Sequence, residues 1–182
     1  MITVDIENLK YPIGKFSAPK EYSATWADQW ILAIEELPAR LRATLKNLTD
    51  KQLDTPYRDG GWTVRQVVHH LADSHMNAYI RFKLAMTEDT PTIKPYQEEL
   101  WAELSEARHA PVEISLSIVD ALHKRWILFL KTLSEDDLKR KYHHPDSKKD
   151  FELRTVLALY AWHSNHHLAH ITSLMAREGW NK

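Results

Sequence analysis

The chain has no cysteine and only 4 glycines among 182 residues, and it carries no excess of either charge. No apolar run in it is long enough to cross a bilayer. Each absence removes a class of protein. Without cysteine there are no disulfides, thiolate metal ligands or cysteine nucleophile, which leaves imidazole and carboxylate as the ligand chemistry. So few glycines argue against a turn-rich β architecture. With 24 Lys and Arg against 25 Asp and Glu, the formal net charge is -1, so no global field recruits nucleic acid or an anionic membrane, and neither is expected as a partner. The short basic runs Lys139, Arg140, Lys141 and Lys148, Lys149 are mixed with acids and read as solvated loop. The opening residues lack the charged-then-apolar pattern of a signal peptide, which makes the cytoplasm the expected location.

What is present is a 43% hydrophobic, 27% charged composition, that of a globular protein long enough for one domain over residues 1–182. Pro12, Gly14 and Pro19 break the opening segment, which is expected to run extended across the surface. From Tyr22 to Leu48, apolar residues Trp26, Trp30, Ile34, Leu37, Leu41, Leu45 and Leu48 recur every three or four positions and predict a first helix, bent at Pro38. Thr63 is an N-cap candidate for a second, running to Met86 through Val64, Val67, Val68, Leu71 and Ile80. A long proline-broken connection follows, in which EELWAELSEA can form a short helix. A third helix is expected over Val112–Leu133, with Ile118, Leu122, Trp126, Phe129 and Leu133 on its core side, and a fourth over Glu152–Arg177, ending near Gly179. The expected fold is therefore all-α, a four-helix bundle with an extended N-terminal segment and long inter-helix connections.

A weak repeat runs through this layout. Leu45-Lys46-Asn47-Leu48-Thr49 parallels Leu130-Lys131-Thr132-Leu133-Ser134, and each leads through an acidic turn to a helix opening Thr-Val, at Thr63-Val64 and Thr155-Val156. The second and fourth helices would then be counterparts.

Those two helices hold most of the 11 histidines: His69, His70 and His75 in GWTVRQVVHHLADSH, and His163, His166, His167 and His170 in YAWHSNHHLAH. A spacing of four stacks two imidazoles on one helix face, so His163/His167 and His166/His170 are both candidate pairs for one ion. The His163/His167 stripe continues through Val156, Tyr160, Ile171 and Leu174 and points inward, which favours it. The His166/His170 stripe includes Thr155, Trp162 and Ser173 and suits solvent or a partner. Spacing leaves the choice between His69 and His70 open. His75 shares a stripe with Val68, Leu71 and Phe82 and reads as a packed histidine.

Trp62-Thr63-Val64-Arg65-Gln66-Val67-Val68-His69-His70 and His163-Ser164-Asn165-His166-His167 resemble the two ligand motifs of the DinB-like superfamily, W-[ST]-x-x-[EQ]-V-x-x-H and H-x-x-x-H. With Tyr11–Phe16, Pro91–Tyr96 and the order of all these segments, the chain looks most like the YfiT-like branch, metal-dependent hydrolases related to bacillithiol S-transferases. The resemblance implies a DinB/YfiT-type bundle, His70, His163 and His167 as metal ligands, and a homodimer. It also implies one divalent ion per subunit, zinc as first choice and nickel as second, and a small electrophilic substrate attacked by water or by a low-molecular-weight thiol cosubstrate. Many superfamily members continue the last ligand with Arg-Gly-Gln; here Leu168-Ala169-His170 stands instead, so contacts made by that tripeptide do not carry over.

Three neutral imidazoles leave the charge of a divalent ion uncompensated, which acidifies a bound water or thiol. No His-Glu-x-x-His occurs, which disfavours a zinc peptidase, and the paired Glu-x-x-His repeats of di-iron bundles are missing, which favours one ion over two. The alternative from another class is a noncatalytic, stress-associated metal-binding protein with the same ligands; a fourth protein ligand sealing the ion would favour it.

Overall fold

The computed structural model describes residues 6–180; the first five residues of the opening segment and the last two of the chain lie outside this range. A short helix α1 (Ile6–Lys10) precedes the first long helix, α2 (Ala24–Leu45), which Ser23 caps by accepting from the Trp26 amide. Then come α3 (Asp50–Leu53), the second long helix α4 (Val64–Thr87), and the short helices α5 (Glu98–Ala102) and α6 (Ser105–His109). The third long helix, α7 (Val112–Leu130), leads to α8 (Glu135–Leu138), a hairpin of β1 (Lys141–His144) and β2 (Lys149–Glu152), and the fourth long helix α9 (Leu153–Glu178). Gly179, at φ 69°, ends α9 in the left-handed conformation that glycine adopts without a Cβ clash.

The four long helices form a bundle in which α2 packs on α7 and α9, and α4 packs on the same two. Consecutive helices α2 and α4 are thus diagonal to each other, as are α7 and α9. A diagonal step must cross the end of the bundle, so a two- to five-residue turn cannot make it. That is why residues 46–63 and 131–152 are long.

The repeat seen in the sequence is a repeat of structure. Thr49 and Ser134 each open a four-residue helix with a capping box, through Gln52 and Asp137. Each helix leads to an antiparallel reversal, the single bridge Pro56↔Thr63 in the first half and the β1–β2 hairpin in the second. Helices α4 and α9 follow as counterparts and lie side by side.

Two apolar clusters fill the bundle. One gathers Ile34, Phe82, Trp126 and Leu157; the other gathers Leu37, Leu41, Val67, Leu71, Leu168 and Ile171. His75 on α4, His123 on α7 and His163, His166 and His167 on α9 fall between the residues of the two clusters, so a polar layer separates them.

Four expectations need correction. The opening segment contains a helical turn, α1, before it runs extended. The face of α7 is rotated by about one residue: Ile118 is 39% exposed while Leu116, Val119, His123, Trp126, Ile127 and Leu130 are buried, because α7 must face α2 and α4 at once. Ile80, in the apolar series of the second helix, is 49% exposed while Val64, Val67, Val68 and Leu71 are buried. Of the His166/His170 stripe, Ser173 is exposed, but the two histidines do not face solvent, since the chain's own opening segment covers them. Tyr11 stacks on His166, His170 Nε2 donates to the Lys10 carbonyl at 3.0 Å, and Trp162 donates to the Gly14 carbonyl at 3.2 Å.

Candidate metal centre

The W-T-x-x-Q segment is, physically, a helix start. Thr63 accepts from the Gln66 amide, and the Gln66 side chain accepts from the Thr63 amide, so two of the orphan donors of α4 are satisfied reciprocally. The Gln66 amide group also donates to the Ala102 carbonyl. Arg65 is buried and anchors the same corner, bonding Asp54 at 2.6 Å, Asp50 at 2.9 Å and the Ala110 carbonyl at 3.0 Å. The rotation of α4 is therefore set at its first turn. His70, two turns later, points at α9.

His70, His163 and His167 converge, each offering a ring nitrogen within 4.8 Å of the others. The Nε2 atoms of His70 and His163 are 3.2 Å apart. Two nitrogens bound tetrahedrally to one zinc at about 2.0–2.1 Å would be separated by about 3.3 Å, so this spacing fits a shared ion. Among the described residues no fourth histidine, aspartate or glutamate joins the three. Trp62 lies against the site, its ring 4.7 Å from His70 and 6.4 Å from His167.

Burial sets the charge state of the three imidazoles. It pushes the His70 pKa down to about 4, with the neighbouring His170 adding to the shift. His163 and His167 lie well below the usual histidine range, again first through burial and then through the other imidazoles around them. At neutral pH all three are uncharged and have a lone pair to give. Asp73, one turn beyond His70, is shifted the other way, up to about 6, by burial and then by the nearby Glu106.

His69 and His70, which spacing alone does not separate, meet different neighbours. His69 faces the start of α7: Nε2 donates to the carbonyl of Ala110, just before that helix, at 3.2 Å and Nδ1 accepts from Ser115 Oγ at 2.7 Å, so both nitrogens are engaged within the protein. His166 packs between Trp162 and Tyr11, and His170 stacks on Tyr57 with centroids 4.0 Å apart. His75 is packed as expected, yet its Nε2 also sits 3.1 Å from Nδ1 of His163. Neither this contact nor His123, which is buried beside His75, follows from the two histidine windows. A histidine at an inward position of α7 was the available signal.

A diagonal-crossover four-helix bundle with three converging imidazoles on adjacent helices defines a metal-site bundle class. A model of the DinB superfamily matches residues 33–171, and the chain belongs to that superfamily. It is 53% identical over 174 residues to the Bacillus subtilis (strain 168) protein named "Putative metal-dependent hydrolase YfiT", covering 96% of this chain and 98% of that one. A similarly named protein of Bacillus mycoides (strain KBAB4) is 54% identical over 175 residues, 96% of this chain and 100% of the other. The solved structure of Bacillus subtilis YfiT, described as "a probable metal-dependent hydrolase with an unusual four-helix bundle topology", superposes with a TM-score of 0.93 at 53% identity, over 96% of this chain and 99% of that one.

Proposed function

We propose that the protein is a metal-dependent hydrolase of small electrophilic substrates, in which His70, His163 and His167 hold one divalent ion, zinc as first choice and nickel as second. The observation that carries this reading is the convergence of three neutral imidazoles with no fourth protein ligand among the described residues, the donor set of catalytic rather than structural zinc sites. The names of relatives 53% and 54% identical over nearly the whole chain support it. Bound there, a divalent ion supplies Lewis acidity, lowering the pKa of a water or thiol and polarising an electrophile.

The chain's own groups do the rest. The imidazoles are held uncharged by burial, so they add no charge to the ion and do not compete for it as cations. Asp73 is assigned as the proton acceptor from its place on α4, three residues after His70; burial raises its pKa to about 6, so it is a carboxylate at neutral pH. Trp62 presents an apolar wall beside His70 that suits an apolar substrate portion. Thiol transfer uses the same three nitrogens, since a thiol is acidified as water is; that variant rests on the resemblance to thiol transferases.

The same reading includes a homodimer and a cytoplasmic location. Exposed Ile114, Ile118 and Leu128 form one stripe on the outer face of α7 and supply apolar area for a partner copy. Among the described residues no helix is long and apolar enough to cross a membrane.

The test is to load untagged protein with zinc or nickel and follow loss of a panel of small electrophiles with and without low-molecular-weight thiols. Turnover by water alone supports hydrolysis, and turnover only with thiol replaces it with transfer. Stoichiometric metal without turnover of any electrophile moves the protein to the noncatalytic alternative.

A further inference from the structure

His75 and His123 are among the most deeply buried polar side chains, 0% and 1% exposed, and neither belongs to the three-nitrogen cluster. They lie end to end between that cluster and α2. His163 Nδ1 is 3.1 Å from His75 Nε2, His75 Nδ1 is 2.9 Å from His123 Nε2, and His123 Nδ1 is 2.7 Å from the Ile34 carbonyl oxygen. The rings of His75 and His123 are nearly parallel, at 13°, and the edges of Trp126 and Tyr160 close around His75.

The last member sets the direction of the whole chain. A carbonyl only accepts, so His123 carries its proton on Nδ1. A second proton on either ring would be an unpaired charge in a fully buried place, which is costly. His123 Nε2 is then an acceptor, His75 donates from Nδ1 and accepts at Nε2, and His163 donates from Nδ1. The lone pair of His163 is left on Nε2, the atom 3.2 Å from His70 Nε2 in the cluster.

The anchor is available for a reason visible in the sequence. Within α2 the Ile34 carbonyl would ordinarily accept from the amide of the residue four positions on, but that residue is Pro38, which has no N–H. The acceptor that proline leaves unused receives His123.

We propose that His75 and His123 are positioning residues, a neutral two-histidine relay anchored on the Ile34 carbonyl that Pro38 frees, which holds His163 in the tautomer and orientation that direct Nε2 at the metal. A ligating histidine usually donates its second N–H to a carboxylate, a backbone carbonyl or water. Here the carbonyl is two rings away. A neutral relay orients the ligand without adding negative charge, so the full acidity of the ion is kept for the nucleophile. The consequence for metal binding rests on the metal-site reading above; the tautomers themselves do not need the metal.

Nitrogen-15 NMR of the histidine side chains in the metal-free full-length chain reads the tautomers directly. Nδ1–H forms at His75, His123 and His163 are expected, and an Nε2–H form at His75 or His123 overturns the relay. Zinc affinity, measured by competition with a chromophoric chelator, is then compared for His75→Gln and His75→Leu. The glutamine oxygen can accept from His163 while its amide group donates to His123, so its affinity should stay within about threefold of the parent, whereas leucine should weaken binding by about 10–100-fold. A packing role predicts the reverse order, because leucine suits a core better than an amide. Equal or tighter binding by the leucine variant therefore overturns the proposal. If that variant does not fold, a glutamine variant weakened tenfold or more has the same force. A parent that binds no zinc removes the metal-site reading but leaves the tautomer result standing.

Discussion

Acidification from about pH 7.5 to about pH 5 should destabilise the metal-free protein strongly, and the buried imidazoles set the size of the effect. His70 and His123 are both pushed down to about 4 in the fold, against an ordinary value of 6.5. For a group whose pKa is depressed by folding, the unfolded chain binds the proton first. The stability is fully present above about pH 6.5 and is lost as pH falls from there toward about 4. At about pH 5 the unfolded ring is almost fully protonated and the folded ring is not, a difference of about 2 kcal/mol per ring, or about 4 kcal/mol for the two. His166, also brought to about 4, and the deeper His75, His163 and His167 act in the same direction. Asp73 opposes them, because a carboxyl raised to about 6 favours the fold on protonation; with its partial exposure this offsets about 1 kcal/mol. Against a typical stability of about 5–15 kcal/mol the net loss is large, and at about 2–4 °C per kcal/mol it lowers the melting temperature by roughly 10 °C. Thermal melts followed by far-ultraviolet circular dichroism at the two pH values measure it. Saturating zinc should move the acid transition to lower pH, since ion and protons compete for the lone pairs of His70, His163 and His167. Melting temperatures within about 2 °C of each other at the two pH values, a shift of at most ~1 kcal/mol, would refute the reasoning.

His163→Ala and His167→Ala should each abolish bound zinc, whereas His166→Ala should keep it and lose about 1 kcal/mol from its stacking on Trp162 and Tyr11; plasma emission spectrometry and melts separate the two effects, and the opposite pattern rejects the ligand pair. Asp73→Asn should cut kcat/KM by roughly 100-fold and remove an acid limb centred near pH 6, and an unchanged pH profile removes Asp73 as proton acceptor. Pro38→Ala should raise helix stability while lowering zinc affinity by about two- to fivefold, as the new amide competes for the Ile34 carbonyl; unchanged chelator competition counts against that carbonyl as anchor. Light scattering at micromolar concentration should give twice the 21.3 kDa chain mass, and a monomeric mass rejects the homodimer.

The sequence by itself determined whatever depends on neighbours along the chain. Apolar periodicity located the four long helices, and the Thr63–Gln66 pattern marked the start of α4 because a capping box is closed within one turn. His163 and His167 were legible as a pair because a spacing of four stacks side chains on any α-helix. The paired segments at Leu45–Thr49 and Leu130–Ser134 announced the repeat for the same reason, since each builds its own short capped helix. Only the tertiary structure decided what rotation and crossing control. Spacing treated His69 and His70 alike; they diverge because α7 and its approach take up His69 through Ser115 and Ala110 while α9 meets His70. The His166/His170 stripe looked fit for solvent until the opening segment was seen folded over it, from about 160 residues away in sequence. The relay was invisible for the same reason. His163, His75, His123 and Ile34 lie on four different helices, 48 to 89 positions apart at each link, and no local pattern records which buried side chains meet when those helices pack.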